Sequence, residues 1–224
     1  MTGGWSVLAG TVAAEAGIAF VLSLLVLRRY VKGRHASHLY WGIGLLLVGV
    51  TMAQELVFYL GVWSEPFAQA YLVLVAVLVG ILSLGSAELL LHGVWRRIWF
   101  GYVGLAAVAM VAVGVLVRTP SSIVVDGVVT GLPPPAITAV SLLVTVPSSI
   151  LLIVASLYGA FWKQRYHLLF VAVGTGVFAA AGALFLVSFP LSLYYAEFAG
   201  AVLLFLGFVR LPTISLPKST VPTA

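Results

Sequence analysis

The chain alternates between long apolar stretches and short polar segments up to about residue 210. A helix needs roughly 20 apolar residues to cross the hydrocarbon core of a bilayer. Windows of this length predict seven membrane-spanning helices, at residues 5–29, 39–62, 67–92, 98–117, 134–161, 167–188 and 191–210. We therefore expect an all-α integral membrane bundle in residues 1–210, followed by a polar, proline-containing cytoplasmic tail at 211–224.

The composition excludes a water-soluble domain. Hydrophobic residues make up 62% of the chain and charged residues only 8%, whereas soluble domains carry about 25% charged residues. The chain has no Cys, which excludes disulfides and thiolate metal sites. Cys and Asn are both absent and Met occurs only three times. Because loss of thermolabile residues is common in thermophile proteins, we expect a thermophilic prokaryotic source.

The basic residues predict the orientation of the spans. Of the 11 Lys and Arg residues, only Arg118 falls on one side of the seven-span arrangement. The others share the opposite side: Arg28, Arg29, Lys32, Arg34, Arg96, Arg97, Lys163, Arg165, Arg210 and Lys218. The positive-inside rule then places the N-terminus outside and the C-terminus in the cytoplasm of a multi-pass cell-membrane protein. The expected partner is the lipid bilayer and not nucleic acid; other membrane subunits or a homo-oligomer are left open.

Two segments of the chain resemble each other and indicate an internal repeat. Residues 34–41 and residues 165–170 each read as a basic residue, then His-Leu, then an aromatic residue that enters a glycine-containing span. This similarity predicts a 3+1+3 plan, in which spans one to three and five to seven form a parallel repeat and the fourth is a linker. The alternative is that two basic, aromatic loops at a membrane surface look alike without a repeat.

Ionisable residues inside the spans are the first candidates for function, because a charged group is costly at the bilayer centre. Glu15 is predicted near the midplane, Glu55 beside Gln54 in the outer third of its span, and Glu197 about two turns in from the outside. One interpretation is a polar path for a substrate or ion, formed by Glu15, Gln54, Glu55 and Glu197. The alternative is that each is a neutral acid that hydrogen-bonds to a neighbouring helix.

The histidines are a second set of candidates, since all four lie toward the predicted cytoplasmic face. One interpretation is a metal or haem site that uses His38, His92 and His167, with Glu88 orienting an imidazole. Glu88 and His92 are four residues apart and would share one face of the third helix. The alternative is an ordinary interfacial group of Glu88, His92 and Arg96. The cofactor is thus unknown.

Pro147 is expected to kink the fifth helix, because proline lacks a backbone donor and frees a carbonyl. The kink is either a transporter hinge or a static bend capped by Ser148 and Ser149.

Two further patterns predict local structure. Small residues at helical spacing, at Ala172/Gly176/Ala180 and at Ala196/Gly200, predict close helix packing. The Val-rich centre of the loop between spans four and five predicts a β-hairpin around Asp126-Gly127 that caps the outer mouth.

Seven spans with an outside N-terminus resemble the microbial rhodopsins in outline. The seventh span, Leu191 to Arg210, has no Lys for a retinal Schiff base, so we expect no covalently bound retinal. The 3+1+3 plan is similar to the SWEET sugar transporters, but of the prolines expected in their first and fifth helices only Pro147 is present. Membrane-sensing regions of histidine kinases are also similar in outline. These resemblances concern architecture and assign no family.

The sequence leaves two functional hypotheses. The first is a small transporter or channel-like carrier for a cation, a proton or a small polar solute, which uses the intramembrane Glu residues. The second is a non-catalytic membrane subunit or sensor of a larger complex that binds haem or metal near the cytoplasmic His residues. No nucleophile–base pair or metal-ligand motif occurs at a recognisable spacing, so an enzyme is not expected.

Overall fold

The computed structural model describes residues 3–125, 128–129, 132–186 and 190–209, with side chains described at 7–124, 129, 132–180 and 195–208. The tail predicted at 211–224 and the turn residues Asp126 and Gly127 lie outside the described residues.

Helices dominate the described part of the chain. They are α1 (Gly3–Gly33), α2 (Ala36–Tyr59), α3 (Glu65–Leu90), α4 (Gly93–Leu116), α5 (Pro135–Phe161), α6 (Leu168–Leu186) and α7 (Pro190–Val209). Each covers one of the seven predicted spans, with ends shifted by only a few residues. Long apolar runs favour helices because a helix satisfies its own backbone groups where no water is available.

Five of these helices, α1 to α5, are long and apolar enough to cross a membrane. The described side chains of α6 and α7 form shorter apolar segments, Leu168–Ala180 and Tyr195–Phe208. Large apolar side chains remain exposed on α4: Leu105 is 73% exposed and Leu116 81% exposed. A continuous exposed apolar surface is typical of contact with lipid. The protein is therefore membrane-embedded.

A residue with left-handed backbone angles follows the end of both α1 and α5. Arg34 and Gln164 each have φ of 53°. The Arg34 amide donates to the Tyr30 carbonyl over 2.7 Å, and the Arg165 amide donates to the Gly159 carbonyl over 3.3 Å. Such bonds satisfy carbonyls that a helix C-terminus leaves without partners. Both turns allow the next helix to start within a few residues.

The helices pack in the order of the chain and close into a ring. Helix α1 packs on α2, α2 on α3, α3 on α5, α5 on α6, α6 on α7, and α7 on α1. Helix α4 packs against α3 and α5 and therefore lies outside this six-helix ring. We call the end at which α1 begins, α2 ends and α3 begins the N-terminal end of the bundle, and the other end the opposite end.

The first and last helices are joined at the opposite end. The guanidinium of Arg29 donates to the Phe208 carbonyl over 3.0 Å, in the last turn of α7, where a cation is favoured by the helix dipole. The rings of Trp41 and Phe208 meet edge to face at 5.3 Å, within a core that includes Leu22 and Val171. These contacts close the ring between α7, α1 and α2.

A short hairpin covers the end of α2 and the start of α3, at the N-terminal end of the bundle. Its strands are β1 (Val124–Val125) and β2 (Val128–Val129), paired antiparallel. This pairing is the one predicted for a turn at Asp126-Gly127. Ile123 and Val129 are buried against Phe58, so the hairpin is anchored on the end of the bundle.

Helices α6 and α7 touch through their backbones. A Cβ built on Gly174 would lie 3.0 Å from the Gly200 carbonyl oxygen, and one built on Gly200 would lie 3.2 Å from the Gly174 carbonyl oxygen. The predicted close packing at Gly200 is confirmed, whereas a Cβ built on Gly176 meets nothing within 4 Å among the described residues. Two residues turn a helix by about 200°, so Gly176 faces away from the contact that Gly174 makes.

This contact predicts different effects for the same substitution at two neighbouring glycines. Gly174→Val should destabilise the protein by about 1–3 kcal/mol, because the side chain forces two backbones apart. Gly176→Val, where the described residues leave room for a side chain, is the matched control and should change stability little. Thermal unfolding of the detergent-solubilised protein measures both. Equal midpoints for the two variants would contradict the close contact.

Candidate functional site

Three buried glutamates lie on three helices of the ring. Glu15 is about three turns into α1, Glu55 is about one turn before the end of α2, and Glu197 is about two turns into α7. All three are therefore in the half of the bundle nearest its N-terminal end. Glu15 has no exposed surface and Glu55 is 5% exposed, while Glu197 is partly buried.

The three carboxyl groups act on one another electrostatically. Glu15 interacts with Glu55, and Glu197 interacts with both Glu55 and Glu15. This interaction links Glu15, Glu55 and Glu197, of which the last two follow Glu15 by 40 and 182 residues, although these three described side chains do not form a group that could hold a metal ion. We call these three residues the carboxyl cluster. Like charges in a poorly solvated site repel strongly, so a positive charge among them is stabilised.

One side of the carboxyl cluster is held by a tyrosine. The Tyr71 hydroxyl on α3 donates to Oε1 of Glu55 over 2.5 Å. Four other oxygens of the cluster are buried without a hydrogen-bond partner among the described residues: both Oε atoms of Glu15, and Oε2 of Glu55 and of Glu197. Because buried polar atoms almost always have a partner in folded proteins, these oxygens are the atoms available to a ligand.

Aromatic side chains separate the carboxyl cluster from the N-terminal end. Phe58, one turn beyond Glu55, packs edge to face on Tyr71 at 5.6 Å and on Phe67 at 5.1 Å. Trp63 lies 6.0 Å from Phe58, and the hairpin covers this group. We call Phe58, Trp63, Phe67 and Tyr71 the aromatic plug. It covers the end of α2 and the start of α3 above Glu55.

Gln54 was predicted as part of the polar path with Glu55. It is buried, and its Oε1 has no hydrogen-bond partner among the described residues. As the neighbour of Glu55 on α2, it points about 100° away around the helix axis. Its backbone position therefore places it beside the carboxyl cluster and on a different face of α2.

The predicted helical pairing of Glu88 and His92 is wrong. Helix α3 ends at Leu90, His92 is extended, and α4 begins at Gly93, which has φ of 59°. Leu91 and His92 are both extended, so the helix ends before it reaches the fourth position after Glu88. Glu88 instead accepts from Arg96 over 3.1 Å, which is the ion pair of the interfacial interpretation.

The other histidines lie at the same end of the bundle. The His38 ring packs on those of His35, at 5.8 Å, and Trp41, at 6.3 Å, and His167 lies just before α6. Among the residues whose side chains are described, no group of three or more His, Asp or Glu could hold a metal ion. The structure therefore does not assemble the predicted His38, Glu88, His92 and His167 into a metal site.

Pro147 lies inside a continuous α5, and a residue of another helix completes its hydrogen bonding. A proline leaves the carbonyl four residues earlier without its donor, which here is the carbonyl of Leu143. The Tyr102 hydroxyl on α4 donates to that carbonyl. Ser148, predicted to cap the bend, has a buried hydroxyl without a partner among the described residues. The cap is thus Tyr102, and α4 is tied to α5 at this point.

Sequence patterns did not identify Tyr71 and Tyr102, the two residues that satisfy the polar atoms at these positions. A usable signal exists for Tyr71. It lies between one and two turns into α3, close to the depth of Glu55 one turn before the end of the adjoining helix. Matching polar residues by depth across neighbouring spans would have paired them.

Comparison of the chain with known proteins found no matching family model, no matching curated protein and no matching solved structure. The functional assignment therefore rests on the carboxyl cluster and its surroundings.

The cap on α5 predicts a dependence between two substitutions. Tyr102→Phe should destabilise the protein by about 1–3 kcal/mol, because the Leu143 carbonyl is left without a donor on an apolar surface that faces lipid. In a Pro147→Ala background the restored amide supplies the missing donor, so the same Tyr102→Phe change should cost much less. Unfolding midpoints of the four proteins give the coupling. If the changes in stability of the two substitutions simply add, Tyr102 does not donate to the carbonyl freed by Pro147.

Proposed function

We propose that this protein is a small membrane carrier or channel-like protein that moves a proton or another small cation through the carboxyl cluster. The observation that carries the proposal is the electrostatic interaction among Glu15, Glu55 and Glu197, together with four buried oxygens that have no partner among the described residues. Acidic residues inside membrane spans are costly and commonly mark ion and proton pathways.

The chemistry of the carboxyl cluster favours a positively charged substrate. Three acids that interact with one another attract a proton or cation more strongly than any one would alone. The Tyr71 hydroxyl fixes one oxygen of Glu55 and leaves the other free to bind. A neutral polar solute gains less from such a site, because it lacks the charge that offsets the repulsion.

The surroundings support an occluded arrangement. The aromatic plug and the hairpin lie above Glu55, and Glu15 has no exposed surface. Movement of a substrate then requires rearrangement on at least one side of the cluster. Pro147 is the proposed hinge, since α5 lacks one backbone hydrogen bond there.

All seven helices are proposed to cross the membrane, with the N-terminus outside. The support is the match between helices and predicted spans, together with the charge asymmetry of the connecting segments. In this orientation the N-terminal end of the bundle is the outer face. The carboxyl cluster then lies in the outer half of the membrane.

We also propose the 3+1+3 repeat, for which the packing gives two supports. A two-fold relation between α1–α3 and α5–α7 would pair the α3·α5 contact with the α7·α1 contact, and both contacts are present. It would also pair the turn after α1 with the turn after α5, and Arg34 and Gln164 have the same left-handed φ of 53°. Helix α4, outside the ring, is the linker.

Flux through the carboxyl cluster is tested in liposomes that contain the full chain. Entry of protons is followed with a trapped pH-sensitive dye, and entry of Na⁺ or K⁺ with trapped ion-sensitive dyes. Glu55→Gln should lower the flux at least about tenfold, since loss of a charged interaction in a buried site costs more than about 1.4 kcal/mol. Glu15→Gln and Glu197→Gln should act in the same direction.

The matched control is Glu88→Gln, which removes a carboxylate paired with Arg96 at the opposite end of the bundle. It should leave the flux unchanged. A fully active Glu55→Gln would remove Glu55 from the path. No flux of any of the three ions, together with stable copurification of other membrane proteins, would favour the alternative of a non-catalytic subunit or sensor.

The proposed topology is tested with single cysteines, because the chain has none of its own. Ser64→Cys, between α2 and α3, should react with a membrane-impermeant maleimide in intact cells. Lys163→Cys, after α5, should react only after the membrane is permeabilised. Both positions are exposed, so each reports on its side. The reverse pattern would overturn the predicted orientation.

A further inference from the structure

A cleft of about 990 Å³ lies at the N-terminal end of the bundle, away from the carboxyl cluster. It is formed where α3 begins, α4 ends and α5 begins. Its lining is mostly apolar and includes Glu65, Arg118, Thr119, the prolines Pro133–Pro135 and Leu142. The function proposed above makes no use of it.

The wall of the cleft is fixed by two hydrogen bonds between α3 and the end of α4. Gln69 donates through Nε2 to the Val117 carbonyl over 3.2 Å. One turn earlier on α3, Oε1 of Glu65 accepts from the Thr119 amide over 3.2 Å. These bonds hold the Glu65 carboxylate in one place. The prolines, with restricted backbone angles, make the facing wall rigid as well.

Two opposite charges line this cleft. Glu65 and Arg118 are both exposed, and the salt bridge present among the described residues is the distant Arg96–Glu88 pair. The Arg118 guanidinium therefore has no carboxylate within salt-bridge distance in the described part of the chain. Thr119 adds a hydroxyl that is buried without a partner there, on a residue only 4% exposed. A ligand can thus meet an anion, a cation and a hydroxyl.

The cleft also extends along the apolar surface of α5. Thr138, Ala139 and Leu142 line it below the prolines, and Leu142 is 46% exposed. Leu142 is two turns into the helix, or about 10 Å from its start. The charged groups lie at the end of the spans, where lipid headgroups lie, and the apolar part extends toward the hydrocarbon region.

We propose that this cleft binds the headgroup of a zwitterionic phospholipid that carries a phosphate and an ammonium group. Arg118 binds the phosphate, because a guanidinium matches its oxygens. Glu65 binds the ammonium, and one acyl chain packs along α5 against Leu142. An anionic lipid without an amine could still pair its phosphate with Arg118, but it would leave Glu65 without a cation and would therefore bind less well.

Native mass spectrometry of the full chain, delipidated in detergent, tests this site. Phosphatidylethanolamine, phosphatidylglycerol and the soluble headgroup glycerophosphoethanolamine are added separately. Phosphatidylethanolamine should bind best. Arg118→Gln should weaken its binding by about fivefold, as expected for loss of a partly exposed ionic contact.

Glu65→Gln should remove the preference for phosphatidylethanolamine over phosphatidylglycerol and preserve the fold, since the amide oxygen still accepts from Thr119. The control is Arg97→Gln, an exposed arginine at the opposite end, which should leave binding unchanged.

Three results would overturn the proposal. They are equal binding of the two lipids by the unchanged protein, unchanged lipid binding by Arg118→Gln, and equally tight binding of the soluble headgroup without acyl chains. Ion flux through the carboxyl cluster is measured separately, so failure of the lipid site and failure of the carrier function are distinguishable.

Discussion

The structure depends on one constraint: in an apolar environment, each polar group must find its partner within the protein. The backbone meets this constraint by forming helices along almost the whole described chain. Where a helix leaves a backbone carbonyl without a donor, another part of the protein donates to it. Tyr102 donates to the carbonyl freed by Pro147, and Arg29 donates to a carbonyl in the last turn of α7. Backbone amides in the left-handed turns donate to carbonyls at the ends of α1 and α5.

The carboxyl cluster stands out against this background. Glu15 is fully buried, and neither of its carboxyl oxygens has a partner among the described residues. Nearby Glu55 has one oxygen bonded to Tyr71 and one without a partner. A structural acid in a helix bundle would be expected to bond fully to its neighbours. The incomplete bonding of these three acids among the described residues is the observation on which the proposed path for a proton or cation rests.

Much of the architecture was predictable because span length and apolar composition are local properties of the chain. The positions of the seven helices and the hairpin at Asp126-Gly127 follow from such local patterns. The glutamates were also found from sequence, since an acid inside an apolar run has few ordinary explanations. That they meet is a property of the ring order, which no local pattern contains.

The predictions that were wrong or missing also concern features that no local sequence pattern contains. The helical pairing of Glu88 with His92 assumed that α3 continues to His92, but α3 ends at Leu90 and His92 is extended. Gly176 was placed in a contact that Gly174 makes, because spacing alone does not say which face of α6 meets α7. The roles of Tyr71 and Tyr102 depend on partners in other helices and were missed.

The hydrogen bond from Arg29 to the Phe208 carbonyl has a consequence for biosynthesis. Its two residues are 179 positions apart, so α1 must enter the bilayer and remain without that contact until the ribosome has synthesised α7.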